Sequence, residues 1–182
     1  MRIALSGTPG TGKTTVTHLL QKEGYVVIEL QKLAEEHGFF NGMDPVRQSK
    51  LLDMSAVDRY IKKQVPMDPL IFLEGLAAHL LTNIEKVVLL RCHPQVLKQR
   101  LQQKGWSPKK IQENIEAEVL DIILCETIQI HVEQNIFEID TTSKTGKETV
   151  NAIQDLIRSN FKANKKYKIG QIDWSEEILD KL

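Results

Sequence analysis

Five short apolar runs punctuate the chain: RIAL (residues 2–5), YVVIE (Tyr25–Glu29), LIFLE (Leu70–Glu74), KVVLLR (Lys86–Arg91) and NIFEID (Asn135–Asp140). Each has the length and composition of a buried strand, and helix-period patterns fill the intervals between them. After the first run, Val16, Leu19 and Leu20 recur at helical spacing until Gly24 ends the pattern. His93-Pro94 opens a helix over QVLKQRLQQK. Ser107-Pro108 opens another, predicted to continue to about Glu133, with proline at the first helical position and Ser107 as N-cap. Val150, Ile153, Leu156 and Ile157 form the apolar stripe of a last helix, predicted from Gly146 to about Phe161. Strands alternating with helices predict a three-layer α/β fold, a five-stranded parallel sheet covered on both faces.

One interval is too long for a plain crossover. Leu30 to Pro69 carries two helical patterns, near Gln31–His37 and Asp53–Gln64, around a turn predicted at GFFNGMDP. Insertions at the carboxyl ends of strands are where open α/β folds bind ligands.

Composition narrows the class without choosing a function. With 182 residues the chain can bury a proper core as one domain. Basic and acidic residues number 24 each, so no global charge points to nucleic acid or to a membrane surface. The basic residues cluster locally: Lys98, Arg100, Lys104, Lys109 and Lys110 share a stretch with no acid, and Arg158 to Lys168 is similar. Cys92 and Cys125 are too few for a disulfide framework and are expected to be buried free thiols. The N-terminus lacks the pattern of a signal peptide and no run has the length of a membrane span. A soluble cytoplasmic protein is expected.

The chemistry is concentrated between the first strand and the first helix. Gly7-Thr8-Pro9-Gly10-Thr11-Gly12-Lys13-Thr14 fits G-x-x-x-x-G-K-[ST] in the strand–loop–helix context that defines a P-loop. Gly7, Gly10 and Gly12 let successive N–H groups turn inward as an anion cradle, and the following helix adds the positive end of its dipole. Lys13 can reach the β- and γ-phosphates of a bound nucleotide, and the Thr14 hydroxyl can join the shell of Mg²⁺. The loop is expected to hold a nucleoside triphosphate.

Two further features gain meaning from the loop. Glu74 ends LIFLE, where an acid opposite a P-loop threonine holds Mg²⁺ through water or activates a nucleophilic water; no other strand end offers a comparable acid facing the loop. The KGW corner at Lys104–Trp106 reads as a cationic lid, against the plainer alternative of a solvated helical hairpin. Asp140, in IDTTSKTG, is a weaker candidate whose turn lines a base pocket or caps the last helix.

GTPGTGKTT, LEG…H, LLRCHPQVLKQRLQQKGWSPKKIQENIEAEVLD and IDTT together resemble the archaeal proteins called putative adenylate kinases, from about Arg2 to Phe161 and in the same order. These are related to the nuclear, coilin-interacting adenylate kinase isoenzyme of eukaryotes. The stretch R-L-x-x-K-G-W-x-x-x-K-I-x-E-N-I-x-A-E carries more of the resemblance than the P-loop does, and the tail GQIDWSEE is also similar to archaeal members. The resemblance implies a P-loop nucleoside monophosphate kinase fold with a helical monophosphate-binding insertion (about 29–52) and a short basic lid (about 103–113). It implies transfer of the γ-phosphoryl of ATP to AMP or a similar monophosphate with Mg²⁺. An accompanying ATPase and a part in small-ribosomal-subunit assembly, through a platform protein of that subunit, are implied too. Carried over by position, Gly10, Gly12, Lys13, Thr14 and Thr15 hold the ATP phosphates, and Lys104 stands where an arginine is usual.

Three departures stand out. Where many members carry Asp-x-His, this chain has Glu74 and Leu76; His79, followed by Leu80 and Leu81, reads as structural. Lys104 keeps the charge of arginine without its planar fork. Glu35 replaces a common arginine of the monophosphate part, leaving Lys32, Arg47 or Lys50 to meet the monophosphate. The tail, residues 164–182, supports a second reading, a nucleotide-gated assembly factor. Its basic stretch and acidic amphipathic end could touch pre-ribosomal RNA or a basic ribosomal protein. Alternatively Ile172, Trp174, Ile178 and Leu179 dock on the protein's own surface.

Overall fold

The computed structural model describes residues 1–44, 49–162 and 165–176. In chain order the strands and α-helices are β1 (Arg2–Ser6), α1 (Lys13–Lys22), β2 (Val26–Glu29), α2 (Leu30–His37), β3 (Phe40–Asp44), β4 (Ser49–Leu52) and α3 (Met54–Gln64). They continue with β5 (Ile71–Glu74), β6 (Lys86–Arg91), α4 (Pro94–Gln103), α5 (Pro108–Val119), α6 (Ile122–Ile130), β7 (Ile136–Asp140) and α7 (Gly146–Arg158). The main sheet has the order β2-β5-β1-β6-β7 with every pair parallel, so β1 and its P-loop lie at the centre.

Alternation along the central strands divides the core in two. Ile3, Leu5, Phe72, Val88 and Leu90 face α1 and α7, where they meet Val16, Leu20, Val150, Ile153 and Leu156. Ala4, Leu73, Val87 and Leu89 point the other way and pack against Leu30 and Leu33 of α2, Val57 and Ile61 of α3, and Leu124 of α6. A fully buried side chain of this kind contributes about 1.5–3 kcal/mol, so the central strands anchor both layers. The corner between α4 and α5 has its own small core of Leu97, Leu101, Ile111 and Ile115, with Trp106 packed on its edge. Ser107 caps α5 as expected, accepting from the Lys110 N–H.

Four details differ from the sequence expectations. The turn at GFFNGMDP is a strand, β3, paired antiparallel with β4, so the insertion combines helices with a hairpin. The long helix predicted from Ser107 to about Glu133 is broken at Asp121, whose φ of 53° is left-handed. The break turns the Asp121 carboxylate onto the buried Arg91 guanidinium, a partner remote in sequence. Cys125 is exposed on α6, whereas Cys92 is buried. The last helix ends at Arg158, capped at its start by a Thr145–Glu148 capping box rather than by Asp140, whose carboxylate accepts from the Thr142 N–H.

Beyond α7 the chain folds back. Tyr167 is buried in the core beside Phe137 and Phe161, Lys168 bridges Phe137, and the Gly170 N–H donates to Glu138 Oε2 at 2.9 Å. The Trp174 ring stands against His93 at 5.0 Å. Through Trp174 the described tail docks on the protein's own surface; Ile178 and Leu179 lie outside the described residues. No helix among the described residues is long and apolar enough to cross a membrane.

Candidate nucleotide-binding site

The P-loop leaves β1 at Ser6 and hugs the end of β6. Gly7 is required there: its φ is +143°, and a side chain would overlap the Leu90 carbonyl. Gly10 is pressed against Leu97 and Leu101 of α4 in the same way. α1 then starts at Lys13, with Gly12 in the left-handed conformation as its N-cap, so the first N–H groups of the helix are free for an anion.

A cavity of about 500 Å³ opens above this helix end, and its walls include Gly10, Gly12, Lys13, Thr14, Thr15 and Lys104. The structure thus assembles the predicted phosphate-binding residues of the loop and the lid in one place. Lys13 rests with its ammonium on the loop's own carbonyls, 2.5 Å from Gly7 O and 3.3 Å from Thr8 O. Burial lowers its pKa to about 8; Glu74 pulls it back up, Lys104 pushes it down and Glu118 pulls it up. Thr14 and Thr15 are exposed, with their side chains open to a ligand.

Arg100, Thr141 and Lys144 complete the wall opposite the loop. The Arg100 guanidinium donates to Thr141 O at 2.7 Å and to Thr142 O at 3.2 Å, and the Thr141 hydroxyl donates to Thr11 O at 2.8 Å. One arginine therefore ties α4 to the turn after β7, while Thr141 ties that turn to the P-loop. Behind the loop, Thr8 Oγ1 donates to Glu118 Oε2 at 2.5 Å, and Glu118 Oε1 accepts from Arg91 Nε at 2.8 Å. Arg91 also meets Glu138 and Asp121, so a single guanidinium faces three carboxylates with little access to water.

On the other side of β1 the acids gather. Glu74 ends β5 half-buried, and burial raises its pKa, with the Lys13 charge opposing. It is not the sole acid at that level: Glu29 ends the neighbouring β2 directly opposite it in register and pushes its pKa further up. Lys32, in the first turn of α2, donates to Glu29 Oε1 at 2.6 Å. Lys32 also borders a groove of about 630 Å³ along the free edge of β2. Lys50 lies on the hairpin with its ammonium 4.9 Å above the Phe40 ring, and Arg47 lies outside the described residues. His79 is buried between Ser6 Oγ (3.1 Å) and Glu126 Oε2 (2.9 Å), joining α6 to β1 and absent from the cavity wall. Leu76 is exposed at the position where the resemblance leads one to expect a histidine.

Among the described residues no group of three or more histidine, cysteine or acidic side chains could hold a metal ion alone. Thr14 and Glu74 offer hard oxygen donors, the set that suits Mg²⁺ held mainly by water and substrate phosphates.

Residues 3–121 match the AAA domain family. Relatives called "Putative adenylate kinase" align along the whole length. The protein from Methanocaldococcus jannaschii is 35% identical over 183 residues, covering 100% of this chain and 97% of its own. The one from Archaeoglobus fulgidus is 38% identical, with 100% and 96% covered. The chain belongs to this archaeal family. Among solved structures, shikimate kinase from Bacteroides thetaiotaomicron superposes with a TM-score of 0.58 at 20% identity, covering 87% of this chain and 98% of that one. At that identity the likeness establishes the P-loop kinase fold alone.

Arg100, Thr141, Lys144 and Glu118 were not legible as site residues. Three of them lie in stretches that carry the family resemblance: Arg100 begins R-L-x-x-K-G-W, Glu118 ends E-N-I-x-A-E, and Thr141 follows Asp140 in IDTT. The signal was present as pattern; the partners were not.

Proposed function

We propose that the protein is a nucleoside monophosphate kinase, transferring the γ-phosphoryl of ATP to AMP or a similar monophosphate. The observation that carries this reading is the convergence of Lys13, Thr14 and Lys104 on one cavity, flanked by the strand ends bearing Glu29 and Glu74 and by Lys32 of α2. Phosphoryl transfer asks the protein for in-line positioning and positive charge, with little covalent chemistry. Lys13 leaves the Gly7 and Thr8 carbonyls for the β- and γ-phosphates of ATP. Thr14 and Glu74 would hold Mg²⁺, which when bound would neutralise charge on those phosphates. Lys104 and Lys109, at the α4–α5 corner, close over the transferring group and keep water away.

For the acceptor, Lys32 is the better placed of the two candidate cations among the described residues. It sits among the acids at the strand ends, held by Glu29, whereas Lys50 is drawn over Phe40 on the hairpin. A monophosphate arriving there competes with Glu29 for the Lys32 ammonium.

The test is a coupled assay with Mg-ATP and each nucleoside monophosphate in turn, compared with ATP alone. Acceptor-dependent ADP formation, strongest with one base, is expected. A slow turnover indifferent to acceptor would overturn the kinase reading and favour the alternative, a nucleotide-gated factor with an ATPase. A ribosomal platform protein would then be the partner to try first.

A further inference from the structure

The lid helix and the P-loop share a buried joint that the phosphate-binding residues do not account for. α5 begins at the lid corner and runs back to the base of the loop, about 14 Å of helix from Lys109 to Glu118. At its far end Glu118 is 2% exposed and holds three donors: Thr8 Oγ1 at 2.5 Å, Arg91 Nε at 2.8 Å and the Cys92 N–H at 3.1 Å. The Arg91 guanidinium also donates to the Glu118 backbone carbonyl at 3.2 Å, so both side chain and main chain of this residue are tied down.

Thr8 is the other half of the joint. Its carbonyl accepts from the Thr11 N–H at 3.2 Å, from Thr11 Oγ1 at 2.8 Å and from Lys13 Nζ at 3.3 Å. Whatever fixes Thr8 therefore fixes one of the two carbonyls on which the Lys13 ammonium rests. Packed apolar side chains would stabilise such a junction at least as well as buried ions do. A carboxylate with three directed donors instead sets distance and angle between two elements.

We infer that Glu118 is a positioning residue that joins the root of the lid helix to the P-loop through Thr8, so that loop geometry and lid closure are set together. The carboxylate touches no substrate. It acts through Thr8 on the loop and through its own helix on the lid. This role rests on the reading of the cavity as a nucleotide site, and it is testable whether or not a monophosphate is the acceptor.

The chain has two tryptophans, and one of them, Trp106, stands at the lid corner with the Lys110 ammonium 4.0 Å above its ring. In a Trp174→Phe background Trp106 emission reports the lid. Saturating magnesium and β,γ-imido-ATP are expected to shift that emission. Thr8→Val removes one buried hydroxyl while keeping the side-chain shape, and Thr8→Ser restores the donor. Thr8→Val is expected to leave the dissociation constant of the analogue within about threefold, to lose more than half of the emission change at saturation, and to lower kcat about tenfold. Thr8→Ser should recover both. Glu118→Gln should mimic Thr8→Val, and the double variant should be no worse than either single one. A full emission change at saturation in Thr8→Val, or no recovery in Thr8→Ser, would overturn the role. If no monophosphate is phosphorylated, the kinase reading fails while the emission experiment still decides this one.

Discussion

On the β6–β7 side of the P-loop, two arginines, Arg91 and Arg100, are built into the fold; on the β2–β5 side, Lys32 stands on its surface. Arg91 is buried against Glu118, Asp121 and Glu138, and Arg100 is locked by the carbonyls of Thr141 and Thr142. Lys32, in contrast, has a side chain 66% exposed and an ion pair with Glu29. Held cations are preorganised: their desolvation and ordering are complete before a ligand arrives, so they fix shape. Exposed cations keep their freedom and are available to a ligand, at little cost to folding. The contrast predicts that charge changes at the held arginines register mainly in stability and geometry, and at Lys32 mainly in substrate use.

The sharpest test lies between the two sides. Lys13→Met should lower ATP-dependent turnover about a thousandfold, the loss expected when a preorganised charge is removed from the transferring phosphate. A steady-state assay with near-normal activity would remove the loop from the mechanism. Next, Arg91→Met should destabilise the fold by about 3–5 kcal/mol in denaturant titration, because it leaves buried carboxylates uncompensated. An unchanged midpoint would erase the distinction between held and exposed cations. Lys32→Ala should behave oppositely, raising KM for the monophosphate about tenfold while the midpoint and KM for ATP stay put. A parallel loss in stability would place Lys32 with the structural group.

A smaller effect concerns pH. The Lys13 pKa near 8 in the free protein is lower than that of an ordinary lysine, and bound phosphates favour its charged form. Nucleotide binding above that pH then takes up a proton, so affinity falls as pH rises. Between pH 8 and pH 9 the ATP dissociation constant should increase about fivefold, measurable by calorimetry in buffers of different ionisation enthalpy. An affinity flat across that window would mean that Lys13 stays charged throughout.

Much of this architecture is local and so was readable in advance. The apolar runs became β1, β2, β5, β6 and β7 to within a residue at each end, since a buried parallel strand is marked by its own composition. The cap at Ser107 follows from one side chain reaching an N–H three residues on. The hairpin of β3 and β4 escaped because Phe40-Asn41-Gly42-Met43 has turn-forming residues and lacks clean alternation. The long helix was misread because nothing near Asp121 announces a break: the cause is Arg91, thirty residues earlier in the chain. Glu29 was passed over as an acid at the site since only the β2–β5 register puts it beside Glu74.

By itself the sequence determined the strands of the main sheet, the P-loop and the family, because each depends on neighbours in the chain: glycine where a side chain would collide, lysine and threonine at the start of a helix, apolar residues in short runs. Only the tertiary structure decided which charges are structural and which are free. The order β2-β5-β1-β6-β7 brings β6 and β7 to one flank of the loop and β2 and β5 to the other. A charged side chain becomes a brace or a ligand contact according to what its strand order places against it. That choice is made by partners 26 to 110 residues away, as for Glu118 with Cys92 and with Thr8.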